Sequence, residues 1–187
     1  MFASCLGLYD KIDADEIEFE MIDGSLTKIS GNTAEFRING MRANEYPAID
    51  FSKPKECFAL KEETLKKVIL QTSFATSDKE TRPVLTGVNF HCEGNTLNCV
   101  ATDSYRLAKK TIDIKESLNF NITIPAKSLS EVVKTLEGEG EVEIAVNDKK
   151  AQFIIHDTIV QTRLIDGVYP ETSRLIPLQF DYELTIV

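Results

Sequence analysis

Apolar and polar residues alternate with period two through most of this chain and switch to helical spacing at two places. Ile17, Phe19 and Met21 alternate with Glu18 and Glu20, which predicts a half-buried strand. Asp23-Gly24 is a tight-turn dipeptide, and strands are expected at Leu26–Ser30 and Ala34–Ile38, with Gly31-Asn32 between them. Tyr46-Pro47 ends this series, and Asp50 to Lys55, with Pro54, reads as a linker. Ahead of these strands, Phe2–Leu8 reads as the end of a helix running into a Gly7 stop.

A second unit opens at Cys57-Phe58-Ala59-Leu60. Leu65, Val68, Ile69 and Thr72 then recur at helical spacing, predicting a helix over 61–74 with Lys61, Lys66 and Lys67 on its outer face. A loop at 75–83 leads to expected strands at Val84–His91, Thr96–Asp103 and Tyr105–Ile112, and a further one through Phe120, Ile122 and Ile124. Ser128 and Glu131 form a capping-box pattern before a helix with the stripe Leu129, Val132, Val133 and Leu136. Strands near Val142–Val146, Ala151–Ile155 and Ile159–Ile165 follow, and Asp166-Gly167 turns the chain toward Tyr169-Pro170. Each helix leads into several strands, so the fold class is α+β with mainly antiparallel sheets.

The pattern also repeats. Tyr46-Pro47 and Tyr169-Pro170 lie 123 residues apart, and Phe58 and Tyr182, each in an opening strand, lie 124 apart. On this reading residues 1–53 are the tail of one repeat, 54–177 a complete one and 178–187 the start of a third. The chain reads as a window cut from an array.

Composition adds limits. A 42% hydrophobic and 27% charged content is that of a soluble globular protein, and no apolar run approaches the ~20 residues of a membrane span. No basic region precedes Phe2–Leu8 and no small-residue cleavage site follows it, so no signal peptide is expected. Cys5, Cys57, Cys92 and Cys99 form no CxxC pair, which fits reduced, mostly buried thiols in a cytoplasmic protein. The formal charge of −9 argues against nonspecific nucleic-acid binding by the whole surface. Residues 60–134, however, hold 11 Lys/Arg against 9 Asp/Glu, a net of +2 that leaves −11 for the rest. An acidic body with one locally basic slice can still meet phosphates on one face, although such unevenness usually means only a solvated surface.

No phosphate loop, dinucleotide fingerprint, HExxH or paired metal-ligand spacing occurs. His91 and His156 fall within expected strands with no companion ligand, and Ser104 has no neighbouring His or Lys to activate it. No catalytic, metal or cofactor site is expected. The most informative stretch is Val100-Ala101-Thr102-Asp103-Ser104-Tyr105-Arg106-Leu107-Ala108. On spacing alone it is an ordinary hairpin turn in which Asp103 bonds its own backbone. Its residue types suit recognition: Tyr gives a rigid amphipathic face, Arg a fixed fork of donors and Leu an apolar wall.

The wording of that stretch resembles the signature segment of the bacterial DNA polymerase III beta subunit family, the sliding clamps. Two further segments do the same, Thr81-Arg82-Pro83-Val84-Leu85-Thr86-Gly87-Val88 and Leu164-Ile165-Asp166-Gly167-Val168-Tyr169-Pro170. The resemblance implies a DNA-clamp fold, in which similar α+β domains of two helices packed on antiparallel sheets repeat three times per subunit. It places residues 1–53 at the end of domain one, 54–177 as domain two and 178–187 at the start of domain three. Family members are non-catalytic processivity factors: two subunits close head-to-tail into a ring around duplex DNA and tether the polymerase, the clamp loader and repair proteins.

The tether is a groove for short partner peptides that carry Gln and Leu/Phe. By resemblance that groove uses Arg82 and Leu85 from the first matching segment. Thr102, Ser104, Tyr105, Arg106 and Leu107 come from the second, and Pro170, Arg174 and Leu175 follow the third. For Leu85 and Leu175 a plain core position competes with pocket lining. Lys66, Lys67, Lys127 and Lys134 fall on the two helices that would face DNA, and Lys79 on a nearby loop. Such contact would be sequence-independent backbone electrostatics. Because ring closure joins domain one to domain three, this span is expected to be a monomer or a nonphysiological dimer paired through an exposed edge strand such as Ala34–Ile38. Two rivals stand beside this reading. One is a structural repeat module without a groove; the other is a small nucleotide-processing hydrolase using Asp103, Ser104 and Tyr105.

Overall fold

A computed structural model describes residues 12–176 and residue 179, and the chain divides into two compact units, Met1–Asp50 and Phe51–Val187. The expected helix at Phe2–Leu8 and the expected strand opening at 178–187 lie outside the described residues, as does Cys5.

The first unit holds a three-stranded antiparallel sheet in the order β1 (Glu18–Asp23), β2 (Leu26–Gly31), β3 (Ala34–Asn39). Asp23 Oδ1 fixes the first turn by accepting hydrogen bonds from the backbone N–H of Ser25 and of Leu26, each at 2.9 Å. Asn32 takes a left-handed φ of 48° in the second turn. On β2, Ile29 is buried, but every residue of β1 is exposed, Phe19 and Met21 included. The half-buried strand predicted there is corrected. Alternation sorts apolar from polar side chains, but burial needs a covering layer, and among the described residues of this unit none lies over β1.

The second unit is built on two sheets. A four-stranded antiparallel sheet runs in the order β4 (Glu56–Lys61), β7 (Glu141–Val146), β8 (Lys150–Ile155), β9 (Thr158–Arg163). A long two-stranded ribbon pairs β5 (Gly87–Thr102) with β6 (Leu107–Pro125), from Gly87 opposite Pro125 to Thr102 opposite Leu107. Two helices, α1 (Glu62–Thr72) and α2 (Ala126–Thr135), pack against these strands. One core unites them: Leu65, Val68 and Ile69 of α1, Leu129 and Val132 of α2, Phe90, Leu97 and Ile124 of the ribbon, and Phe58, Ile144 and Phe153 of the sheet. Each such large side chain contributes about 1.5–3 kcal/mol through burial.

Several local expectations change. The strands expected at Val84–His91 and Thr96–Asp103 are one strand, β5, with an irregularity between Gly94 and Thr96. Pairing continues on both sides of the shift, where Asn95 of β5 faces residues 114–117 of β6, so the extra residues sit on β6 and the ribbon is not ended. Residues 84–86, read as the start of a strand, belong to a 3₁₀ turn, Pro83–Thr86, and β6 begins at Leu107 and not at Tyr105. The Ser128–Glu131 capping box does not form: α2 starts at Ala126 directly after Pro125, without a side-chain cap. The ribbon register carries strand geometry up to Pro125, whose missing N–H suits a helix entry, so the helix begins before Ser128 can cap it. Ser128 instead accepts a hydrogen bond from the Thr162 hydroxyl at 2.8 Å. His156, placed in a strand by sequence, sits after β8 in a two-residue turn with a φ of 51°.

Candidate functional site

Two glycines bring the chain over one end of the ribbon. Gly87 opens β5 where Ile165 N–H donates to Thr123 O at 2.9 Å; a Cβ on Gly87 would lie 2.6 Å from Ile124 O. Gly167, at a φ of 121°, passes Val84 so closely that a Cβ would meet its Cγ1 at 2.8 Å. Only glycine fits both the conformation and the approach. The segment that follows drops Tyr169 onto the outer face of the ribbon, where it packs with Leu85 and Val100, flanked by Val84 and Leu107. This is a small apolar cluster separate from the main core. Tyr169 Oη accepts the Thr102 N–H at 3.0 Å, and burial pushes its phenol above the usual tyrosine range.

The hairpin tip beside the cluster is organised by Asp103. Its Oδ1 accepts the backbone N–H of Tyr105 at 2.9 Å and of Arg106 at 3.0 Å, and its Oδ2 accepts Arg106 Nε at 3.0 Å. These bonds, the Tyr105 N–H first among them, hold its carboxyl below the usual range. The self-bonding turn Asp read from sequence is thus present. Ser104 takes a φ of 78°, and its N–H donates to Thr102 Oγ1 at 3.2 Å. Thr102 is buried and donates its hydroxyl to Arg106 O at 2.7 Å, so this hydroxyl serves the turn. With the backbone satisfied, Tyr105 projects at 94% exposure and Arg106 lies outward with its guanidinium 5.9 Å above the Phe74 ring.

The structure thus gathers Leu85, Thr102 and Leu107 at the cluster and its rim, with Ser104, Tyr105 and Arg106 on the adjoining tip. Leu85 is buried and forms the floor, its N–H donating to Arg82 O at 3.0 Å and its carbonyl accepting from Ser77 N–H at 2.8 Å. Arg82 is exposed at the start of that turn. Pro170 is exposed directly after Tyr169, and Arg174 and Leu175 are exposed in the 3₁₀ turn Ser173–Leu175. Sequence reasoning omitted Phe74 and Tyr169. Phe74 stands at 58% exposure just past α1, and its place under Arg106 becomes visible only in three dimensions. In the sequence Tyr169 stands out as a repeat marker and as part of a matching segment, not as a site residue.

The five lysines are spread differently. Lys66 is half-buried on α1, and Lys67 pairs with Glu63 at 2.6 Å. Lys134 of α2 pairs with Glu131 at 2.8 Å, while Lys127 and Lys79 are exposed. Among the described residues no three His, Cys, Asp or Glu side chains gather as a metal site, and no helix is long and apolar enough to cross a membrane. Cys92 and Cys99 are free and buried, Cys57 free and half-buried.

The family model of the DNA polymerase III beta subunit, central domain, matches residues 59–171. The beta sliding clamp of Bacillus subtilis is 39% identical over 179 residues, covering 94% of this chain and 47% of its own length. That of Halalkalibacterium halodurans is 40% identical over 172 residues, 89% of this chain and 45% of its own. The crystal structure of the DNA polymerase sliding clamp from Bacillus subtilis matches with a TM-score of 0.82 at 36% identity, over 95% of this chain and 47% of that one. The chain spans about half the length of the relatives it matches, and its α+β architecture is the DNA-clamp fold. Since the central-domain match takes in the ribbon, its tip and the segment through Tyr169, the chain belongs to the DNA polymerase III beta subunit family.

Proposed function

We propose that the chain is the middle portion of a sliding clamp and that the tip, the small cluster and the 170–175 segment form its groove for partner peptides. The observation that carries this reading is the pairing of opposite surfaces at one place. Leu85, Leu107 and Tyr169 make an apolar floor, while Tyr105 and Arg106 stand exposed beside it on a turn whose own hydrogen bonds are complete. Apolar walls take Leu or Phe side chains, and Arg106, Arg82 and Arg174 can orient a peptide's carbonyls and carboxylates. A preformed turn lowers the ordering cost of binding.

In this reading residues 1–53 end domain one, 54–177 make domain two and 178–187 begin domain three. The whole protein encircles duplex DNA as a head-to-tail dimer, acts in the cytoplasm without catalysis, and tethers the polymerase, clamp loader and repair proteins. Lys66, Lys67, Lys79, Lys127 and Lys134 supply weak, sequence-independent attraction to the phosphates. Glu63 and Glu131 already hold two of these cations, which fits loose contact better than tight binding.

Fluorescence anisotropy with a short labelled peptide carrying Gln and Leu/Phe tests the groove. The wild-type chain should bind in the high micromolar range, and Arg106→Ala and Leu175→Asp, with unchanged circular dichroism, should not. Equal binding by both variants would refute the site.

A further inference from the structure

The outer face of the ribbon has a second half that the groove does not use. Beyond Val100 the outward positions become polar, and the segment 168–176 roofs them to enclose a pocket of about 530 Å³. Val100, Tyr169 and Pro170 line this pocket and also stand at the groove, so the two compartments share a wall. Its volume suits one or two residues of a ligand.

The floor is rich in hydrogen-bond donors, for a reason that can be traced bond by bond. Asn89, buried, spends its amide N–H₂ on Asn121 Oδ1 at 2.7 Å and on Ile122 O at 3.2 Å. Asn98 Oδ1 accepts the Thr111 hydroxyl at 2.8 Å. The oxygens of Asn98 and Asn121 are therefore engaged, and among the described residues their N–H₂ ends have no acceptor. Lys109 lies opposite Val100 in the register, on the same face, and forms no ion pair among the described residues. Three donors, one of them charged, thus converge beside the apolar cluster.

The remaining ionisable groups are committed. His91 Nε2 is 3.2 Å from Glu93 Oε1, and Glu171 on the roof accepts a hydrogen bond from the Ser173 hydroxyl.

We propose that this pocket is a second compartment of the peptide groove, taking an acidic side chain that lies one or two positions from the apolar anchor. The carboxylate meets Lys109 and the amide donors of Asn98 and Asn121. Asn98 stands two residues from Val100 along β5, about 7 Å, which sets the short spacing. This rests on the groove reading above, and it adds a charge preference that the groove alone does not demand.

The test uses anisotropy with three labelled peptides: the Gln and Leu/Phe core alone, the core with Glu one or two positions beyond either end of the anchor, and the same with Lys. At low salt one Glu-extended peptide should bind roughly three- to fivefold tighter than the core, and the gain should shrink in about 0.5 M NaCl. Lys109→Ala should remove the gain while leaving binding of the core unchanged. Lys109→Glu should reverse the preference toward the Lys-extended peptide. If the core binds and no Glu extension improves it, or the gain survives in Lys109→Ala, the second compartment is refuted while the groove stands. If the core itself does not bind, the groove reading fails and the extension falls with it.

Discussion

Two carboxylates of the second unit each organise a loop, and they do opposite jobs. Asp103 sits at the rim of the hairpin tip and gathers the N–H groups of Tyr105 and Arg106, leaving both side chains in solvent. Glu62, in the first turn of α1, is fully buried. Its Oε2 accepts the Gly138 N–H at 2.7 Å, and its own N–H donates to Gly140 O at 3.1 Å. Its Oε1 lies 3.0 Å from His156 Nε2, an ion pair when the imidazole is protonated, although no hydrogen bond to Oε1 is aligned among the described residues. One carboxylate leaves the Tyr105 and Arg106 side chains exposed, and the other ties a helix start to the 138–140 loop and the β8–β9 turn. Exposure decides which job the same chemistry performs: at the rim the satisfied backbone leaves side chains in solvent, whereas inside it closes the fold.

The sharpest way to break this comparison is Glu62→Ala. It removes the buried carboxylate that accepts the Gly138 N–H and faces His156, so it should cost about 1.5–3 kcal/mol in urea unfolding. Peptide affinity of the folded chain should stay the same. A smaller loss is expected from Tyr169→Phe, which strips the acceptor from the buried Thr102 N–H and should cost about 1–2 kcal/mol while also weakening peptide binding. Arg106→Ala should leave the urea midpoint in place and abolish binding, because the guanidinium touches only Asp103 and the exposed Phe74 ring among the described residues.

The smallest effect is one of pH. The Asp103 carboxyl is lowered from 3.8 by the N–H groups of Tyr105 and Arg106, so the ionised form is favoured in the folded turn. The stabilisation is complete above the unfolded value and is lost as pH falls below it through the lower folded value. Amide resonances of Tyr105 and Arg106 followed by NMR should therefore hold steady from pH 7 to about 5 and move only below about pH 4. Asp103→Asn should blunt that movement.

Much of this architecture is legible in the chain. The α1 stripe of Leu65, Val68, Ile69 and Thr72 is buried as its spacing predicts, and the Asp103 turn follows from local chemistry. What escaped has a common origin in distance. Glu62 stands between Lys61 and Glu63 and reads as surface, and its partners lie 76 residues away at Gly138 and far along the chain at His156. The Thr102–Tyr169 bond spans 67 residues, so neither the burial of that hydroxyl nor the apolar floor shows in sequence. Ser128 failed as a cap because the long β6 register, extending to Pro125, overrode a local signal. Of the residues proposed for the groove, Tyr105 and Arg106 stand out in their turn in the sequence, while the fold is needed to bring Phe74 under Arg106.

The claim at the centre of this account is that partner peptides bind across the hairpin tip and the 170–175 segment. The most direct measurement is NMR mapping of backbone amide shifts as the Gln and Leu/Phe peptide is titrated into the labelled chain. Shifts concentrated at Tyr105, Arg106, Leu107, Arg174 and Leu175, with α1 and the β7–β9 strands unmoved, are the predicted result. Shifts confined to the helices, or to the exposed face of β1, would contradict it.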